Sequence, residues 1–349
     1  MTAVSEARAL LDSGDVAGLI RHLRFNSDGM ELAEVAQLVA DAAALSGFDD
    51  LRDAAAALAP WPARYLLAYN ALLAGDIGRA ERASEQLPAP AAEWRSAADR
   101  LARMIARARA AQGVSPLDDT DLRGWHFALT GGLLMSISPY GFHDGMTGRF
   151  AFMSDSFAMC RRSLDRLRRV LEVTGRRPTS VGLLPDRSSR ILGLAAAQLF
   201  GLPAEPFDPR RPDALVVAYS LSETEPDSLL ERVDGQVLFE HSSCWTDPPA
   251  VSADAVGVLH QFSQSPWDRR MTVSPDGEPE TVAADDRAEN ELADEILATA
   301  PDSFESDDDA PPDPDEVLTG LASAVGGHWL TGPRDMVHSP GPVPSNRFA

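Results

Sequence analysis

Residues 179–201 read TSVGLLPDRSSRILGLAAAQLFG. Val181, Leu183 and Leu184 form a short apolar run, and Pro185, Asp186, Arg187, Ser188 and Ser189 form a polar turn. Ile191, Leu192, Leu194, Ala195, Leu199 and Phe200 then return at helical spacing before Gly201. The pattern predicts a buried strand, a turn and a helix closed by glycine. Three more apolar segments follow at 214–220 (ALVVAYS), 236–240 and 255–261. Such β-branched runs, separated by helical or polar stretches, belong to strands covered on both faces. The expectation is an α/β domain over residues 116–270, with a mainly parallel sheet flanked by helices. Upstream, Phe157, Cys160, Leu164, Leu167 and Leu171 recur in steps of three and four, with arginines between them. They predict an amphipathic helix over 155–175. Further upstream, residues 139–150 (PYGFHDGMTGRF) are dense in glycine and aromatics. A loop so rich in large side chains is expected to line a pocket or plug the sheet. Gly131-Gly132, set between apolar runs, suggests a hairpin or a sharp bend.

Residues 1–115 are rich in Ala, Leu and Arg and read as an all-α domain preceding the sheet. Gly14, Gly47 and Gly75 mark three similar turns, LLDSGD, LSGFD and LLAGD. The third unit, ARYLLAYNALLAGDIGRAERASEQLP, has Ala68, Gly75 and Ala80 where two helices must approach closely. It resembles a tetratricopeptide repeat, a helix pair recurring every ~34 residues. The first unit keeps Ala7 and Gly14 but has Leu19 at the second small position, and the second keeps Ala40 and Gly47 but has Arg52 there. The resemblance covers the N-terminal third and implies stacked helix pairs that hold a protein partner.

The chain has 349 residues and a formal net charge of −22. Between residues 276 and 316 it carries 17 acidic side chains and one arginine, Arg287. Residues 271–349 are therefore expected to form an acidic, largely flexible segment with one or two short helices, near 284–300 and 317–325. The proline-rich stretch 301–314 would be its disordered linker. This acidity excludes a phosphate-backbone interface, so no nucleic-acid partner is expected. No apolar run is long enough to span a membrane, and the N-terminus lacks a secretory pattern. Two cysteines, Cys160 and Cys244, do not make a disulfide framework, which predicts a reduced, cytoplasmic protein. All 31 basic residues are arginine, which removes lysine Schiff bases and the P-loop lysine.

Ligands of an open parallel sheet bind beyond the carboxyl ends of its strands. The four strands end in Asp186, Arg187, Ser188 and Ser189; in Tyr219, Ser222 and Glu223; in His241, Ser243 and Cys244; and in His260 and Gln261. These are the candidate ligand-binding residues. Arg187 and the following helix N-terminus suit a small anion, whereas the same polar residues also serve as ordinary helix caps. His241 and Cys244 are spaced like half of a metal site, with His260 as a third group, and Cys244 beside a histidine is also a candidate nucleophile. A free cysteine packed as a small hydrophobe is the alternative. No metal is assigned on this basis, and no cofactor is identified.

The segments SVGLLPDRSSRILGLAAAQLFGLP and ALVVAYSLSETEPDSL resemble the pyrophosphate-loop unit and the phosphoribosyl-diphosphate loop of the phosphoribosyltransferase family. The two acidic residues of that family fall near Ala218 and Tyr219 here, and its phosphate loop is replaced by Ser222-Glu223-Thr224-Glu225-Pro226. The resemblance implies a related fold with the transferase activity lost. Two functions follow from the sequence. One is an interaction or scaffold protein whose α/β domain binds a small anionic ligand; the other is an enzyme acting on a nucleotide-like or phosphorylated substrate at the strand ends. They are separated by whether Arg187, Glu223, His241, Cys244 and His260 converge.

Overall fold

The structure, a computed structural model, describes residues 3–26, 35, 38–39, 60–223, 226–273, 279–304 and 310–345. The chain divides into two compact units, Met1–Arg109 and Ala110–Ala349. Every regular element described in the first unit is helical. Helices α1 (Ala3–Asp12) and α2 (Val16–Asn26) form one antiparallel pair, and α3 (Tyr65–Leu73) and α4 (Ile77–Glu85) another. Both pairs turn in the same way. Gly14 (φ 76°) and Gly75 (φ 84°) adopt the left-handed conformation, which costs glycine least. An aspartate then caps the next helix: Asp15 accepts from the Gly18 N–H at 2.7 Å and Asp76 from the Arg79 N–H at 2.9 Å. Ala7, Ala68 and Ala80 are fully buried where the helices touch. The unit expected around Ala40, Gly47 and Arg52 lies outside the described residues. Helix α5 (Arg95–Gln112) spans the boundary between the units.

The second unit holds the expected α/β architecture. Helix α6 (Leu122–Thr130) leads to β1 (Leu133–Leu134) and β2 (Phe150–Ser154), and α7 (Phe157–Val173) to β3 (Ser180–Leu183). Then come α8 (Arg187–Phe200), β4 (Ala204–Pro206), β5 (Ala214–Ala218), β6 (Val237–Cys244) and β7 (Ala255–Gln264). All pairings in this sheet are parallel, in the order β4-β3-β5-β6-β7, with β1 and β2 following one another along the outer side of β7. The chain steps outward from β3 to β4 and returns to β5, so the strand order reverses beside β3. Residues of β5 are buried throughout, as the ALVVA run requires. Helix α8 seats on β3 and β5, and Gly193 lets it approach: a Cβ there would lie 2.6 Å from Leu183 Cδ2. Strands β8 (Arg270–Val273) and β9 (Pro279–Val282) form a separate antiparallel pair.

Some local expectations change. Gly131-Gly132 makes no hairpin: Gly131 (φ 83°) closes α6 and the chain enters a parallel edge strand. The segment after β5 forms two single 3₁₀ turns, Leu221–Glu223 and Pro226–Leu229. The stretch between α5 and α6 folds on Asp121, whose carboxylate accepts from the Leu117 N–H at 3.0 Å and from Ser115.

The largest change concerns the segment after residue 270, expected to be largely flexible. Its described residues are built into the second unit. Helix α9 (Glu289–Ala298) packs on α7 and α8, and α10 (Asp315–Val325) on α7. Asp313, inside the proline-rich stretch, accepts from Arg123 at 2.7 Å, from Arg166 at 2.6 Å and from the Ile137 N–H at 3.0 Å. Trp329 donates to the Asp254 carbonyl at 2.8 Å. Arg334, fully buried, pairs with the equally buried Asp254 at 2.9 Å, and Arg232 reaches the other carboxylate oxygen. A charge count along the sequence misses this because acidic residues appear solvated until their arginine partners are known.

Asp254 also accepts from the Leu238 N–H at 2.8 Å. Burial raises its pKa, but Arg232, Arg334 and these hydrogen bonds outweigh burial and hold the carboxyl below its ordinary value. A depressed carboxyl stabilises the fold above its unfolded pKa, and that contribution disappears as pH falls through the folded value. Asp254→Asn is expected to cost about 3–5 kcal/mol, because Arg334 stays buried without a counter-ion. Urea unfolding at pH 7 measures this, and the wild-type advantage should shrink on acidification.

Candidate functional site

The turn after β3 is internally committed. Asp186 caps α8 through the Ser189 N–H (2.8 Å), and Ser189 Oγ accepts from the Tyr219 N–H (2.9 Å). Ser188 Oγ accepts from Trp267 Nε1 (2.9 Å), and Arg187 donates to the carbonyls of Asp285 (2.7 Å) and Arg287 (3.0 Å). The helix start suggested as an anion site is thus stapled to the segment leading into α9. Ser222 is bonded to Ser220, and the side chain of Glu223 lies outside the described structure.

A second group sits beneath this turn. Asp155 follows β2 and precedes Ser156, the cap of α7, and Cys160 lies one helical turn further on. His241 comes from β6, and Tyr219 from just past β5. Asp155 Oδ2 receives the Tyr219 hydroxyl at 2.8 Å, lies 3.0 Å from His241 Nε2, and accepts the Cys160 thiol at 3.5 Å. Cys160 Sγ lies 3.7 Å from the same His241 nitrogen. Cys160 and His241 are fully buried and Asp155 is 3% exposed. Burial, then the Asp155 charge, push both the Cys160 thiol and the Tyr219 hydroxyl well above their ordinary values. Nε2 faces both the carboxylate and the thiol, whereas a nucleophile–base–acid relay uses the two imidazole nitrogens separately. The arrangement is a convergent cluster with an inert thiol rather than an acylation triad.

A third group lines a cavity of about 360 Å³ between α6, the end of β6 and residues 336–345. Its walls include His126, Arg149, Ser243, Cys244 and Trp245, with Leu122, Leu129, Leu259 and Val337 as apolar surface and the exposed Asp247 also contributing. Arg149 closes the glycine- and aromatic-rich loop and is 1% exposed. One guanidinium nitrogen donates to the carbonyls of Met146 (3.2 Å) and Pro344 (3.0 Å), and the group stacks over Trp245 at 5.5 Å. Its Nη2 is buried with no partner among the described residues, as are Trp245 Nε1 and His126 Nε2. Burial lowers the Arg149 pKa to about 10, so it remains charged at neutral pH. Burial, and then the Arg149 charge, lower His126 to about 4, so it is neutral there.

The residues expected at one strand-end site are therefore dispersed. His241 joins the buried cluster with Tyr219, while Ser243 and Cys244 line the cavity. Cys244 Sγ lies near Thr246 Oγ1 and the Gln261 carbonyl, both at 3.4 Å. His260 pairs with Cys244 in register but is held near pKa 4 by burial. The proposed His241–Cys244 pair gives way to His241 with Cys160. Alternation along β6 explains part of this, since residues three apart leave opposite faces of a regular strand. Sequence reading passed over Asp155, Cys160, His126 and Arg149 as site residues. The visible signals were Asp-Ser before a helix with a cysteine one turn on, and an arginine ending an aromatic loop.

No family model matches this chain, and neither the curated proteins nor the solved structures contain a significant match to it. Among the described residues, no helix is long and apolar enough to cross a membrane.

Two measurements check this geometry. In the native protein a small alkylating reagent is expected to modify Cys244 and to reach Cys160 only after unfolding, as read by peptide mass spectrometry. Glu240, buried beside the Leu221 N–H (2.7 Å), is raised by burial to about 7. A raised carboxyl contributes stability below its unfolded pKa, and this is lost as pH rises through the folded one. Glu240→Gln is therefore expected to flatten the fall in stability between about pH 4.5 and 7, measured as the difference from wild type.

Proposed function

We propose that the second unit is a binding domain for a small organic anion, a carboxylate or phosphate ester with an apolar body, held in the cavity beside Arg149. The observation that carries this reading is a buried guanidinium with a donor nitrogen lacking a partner among the described residues. A buried charge is costly without a counter-charge. Among those residues, no carboxylate lies within ion-pair distance of Arg149. An anion on Nη2 would supply that charge, and Trp245 Nε1 and His126 Nε2 are further hydrogen-bonding groups on the same walls. The Leu and Val side chains suit an apolar body, and the volume fits a small molecule. Relative to the sequence expectation, the anion moves from the Arg187 turn to the cavity that Ser243 and Cys244 line. The helix pairs of the first unit, with matching Gly–Asp turns, support a tetratricopeptide-like role in holding a protein partner. Together these make a scaffold or adaptor that responds to a small ligand.

Thermal shift against a panel of carboxylates and phosphate esters at millimolar concentration tests the reading. A ligand at 100 times its Kd should add about 2.7 kcal/mol to the wild-type stability. Arg149→Met should abolish the shift, while Arg187→Ala should leave it. A shift that survives Arg149→Met, or no shift across the panel, overturns the assignment.

A further inference from the structure

We propose that Asp155, Cys160 and His241 form a divalent transition-metal site of the zinc class, with the Tyr219 hydroxyl completing or directly bracing it. Two observations carry the proposal independently of the ligand cavity.

The first is geometry. Bonds of about 2.0–2.1 Å to nitrogen or oxygen and about 2.3 Å to sulfur place tetrahedral ligands roughly 3.3–3.6 Å apart. Here the three donor atoms are separated by 3.0 Å (His241 Nε2 to Asp155 Oδ2), 3.5 Å (Cys160 Sγ to Asp155 Oδ2) and 3.7 Å (Cys160 Sγ to His241 Nε2). The second is charge. Asp155 is buried, and among the described residues its sole ion-pair partner is His241. A divalent ion bound by a carboxylate, a thiolate and a neutral imidazole gives a cluster with no net charge, which removes the penalty of burying it. The mixed soft and borderline donor set favours zinc over calcium or magnesium, which prefer oxygen. Metal binding would release the Cys160 proton to solvent and requires His241 Nε2 without its proton.

The ligands come from β6 and the start of α7, so the ion would clamp the helix onto the sheet, and a buried site of this kind loads during folding. The full-length, tag-free chain should therefore be produced in zinc- or cobalt-supplemented minimal medium and also refolded with each metal. The expected result is one metal ion per chain by elemental analysis. The cobalt form should show tetrahedral d–d bands and a thiolate-to-cobalt charge-transfer band. Cys160→Ser should lose the charge-transfer band and Cys244→Ser should retain it. X-ray absorption at the zinc edge of the wild-type protein should find one sulfur among three or four ligands, a measurement that decides the case if Cys160→Ser does not fold. A folded wild-type chain without stoichiometric metal, a zinc shell without sulfur, or a band lost in Cys244→Ser and kept in Cys160→Ser overturns the proposal, leaving a hydrogen-bonded buried cluster.

Discussion

The second unit depends on two carboxylates, one buried and one half-buried, that each hold two arginines. Asp254 gathers Arg232 and Arg334, and Asp313 gathers Arg123 and Arg166. Both pairings join distant parts of the chain. Asp254 lies just before β7 and Arg334 in the C-terminal segment, while Asp313 joins α6 and α7 to the approach of α10. Breaking either would leave guanidinium charge in the interior, so the acidic C-terminal segment has to fold with the sheet. The aliphatic core fills the space between the layers; these ion pairs determine which segments close it.

The same rule draws attention to groups that depart from it. Arg149 is a buried cation with no carboxylate beside it among the described residues, and it faces a cavity. Asp155 is a buried anion whose ion-pair partner is a histidine, and it faces a thiol. Buried charge is tolerated when something of opposite sign or a dense set of hydrogen bonds compensates it. One site therefore points to an anionic ligand and the other to a cation. The Arg149 cavity borders the carboxyl end of β6, and the Asp155 cluster lies at the carboxyl end of β2 beside β6, in keeping with the general location of function in open parallel sheets. At the β3–β5 reversal, where such sheets commonly bind ligands, Arg187 and Ser188 are instead taken up by Asp285, Arg287 and Trp267.

The chain's sequence determined the four central strands β3, β5, β6 and β7, the helices α7 and α8, and the class of the sheet. Val181, Val216, Leu238 and Val258 lie in apolar runs too continuous for a strand exposed on one face, and the helical spacing from Phe157 to Leu171 is unambiguous. The Gly–Asp turns at 14–15 and 75–76 were legible because glycine and aspartate act on their own neighbours. The aromatic loop over 139–150 was legible as a segment that lines a pocket or plugs the sheet, and its Arg149, which lines the cavity, was not singled out. Each of these signals rests on interactions within a few residues.

Only the tertiary structure decided which side chains meet. His241 was paired with Cys244 by sequence distance and meets Cys160, 81 positions earlier in the chain. Arg187, an apparent anion ligand, is held by carbonyls about 100 residues later. Asp313 and Arg334 lie in segments whose composition suggested a solvated tail, yet both pair with arginine or aspartate in the core. Local spacing reports which face of a helix or strand a residue occupies; it carries no information about the partner across the interface. That choice follows from strand order and from the requirement that every buried charge be compensated, and both belong to the folded chain as a whole.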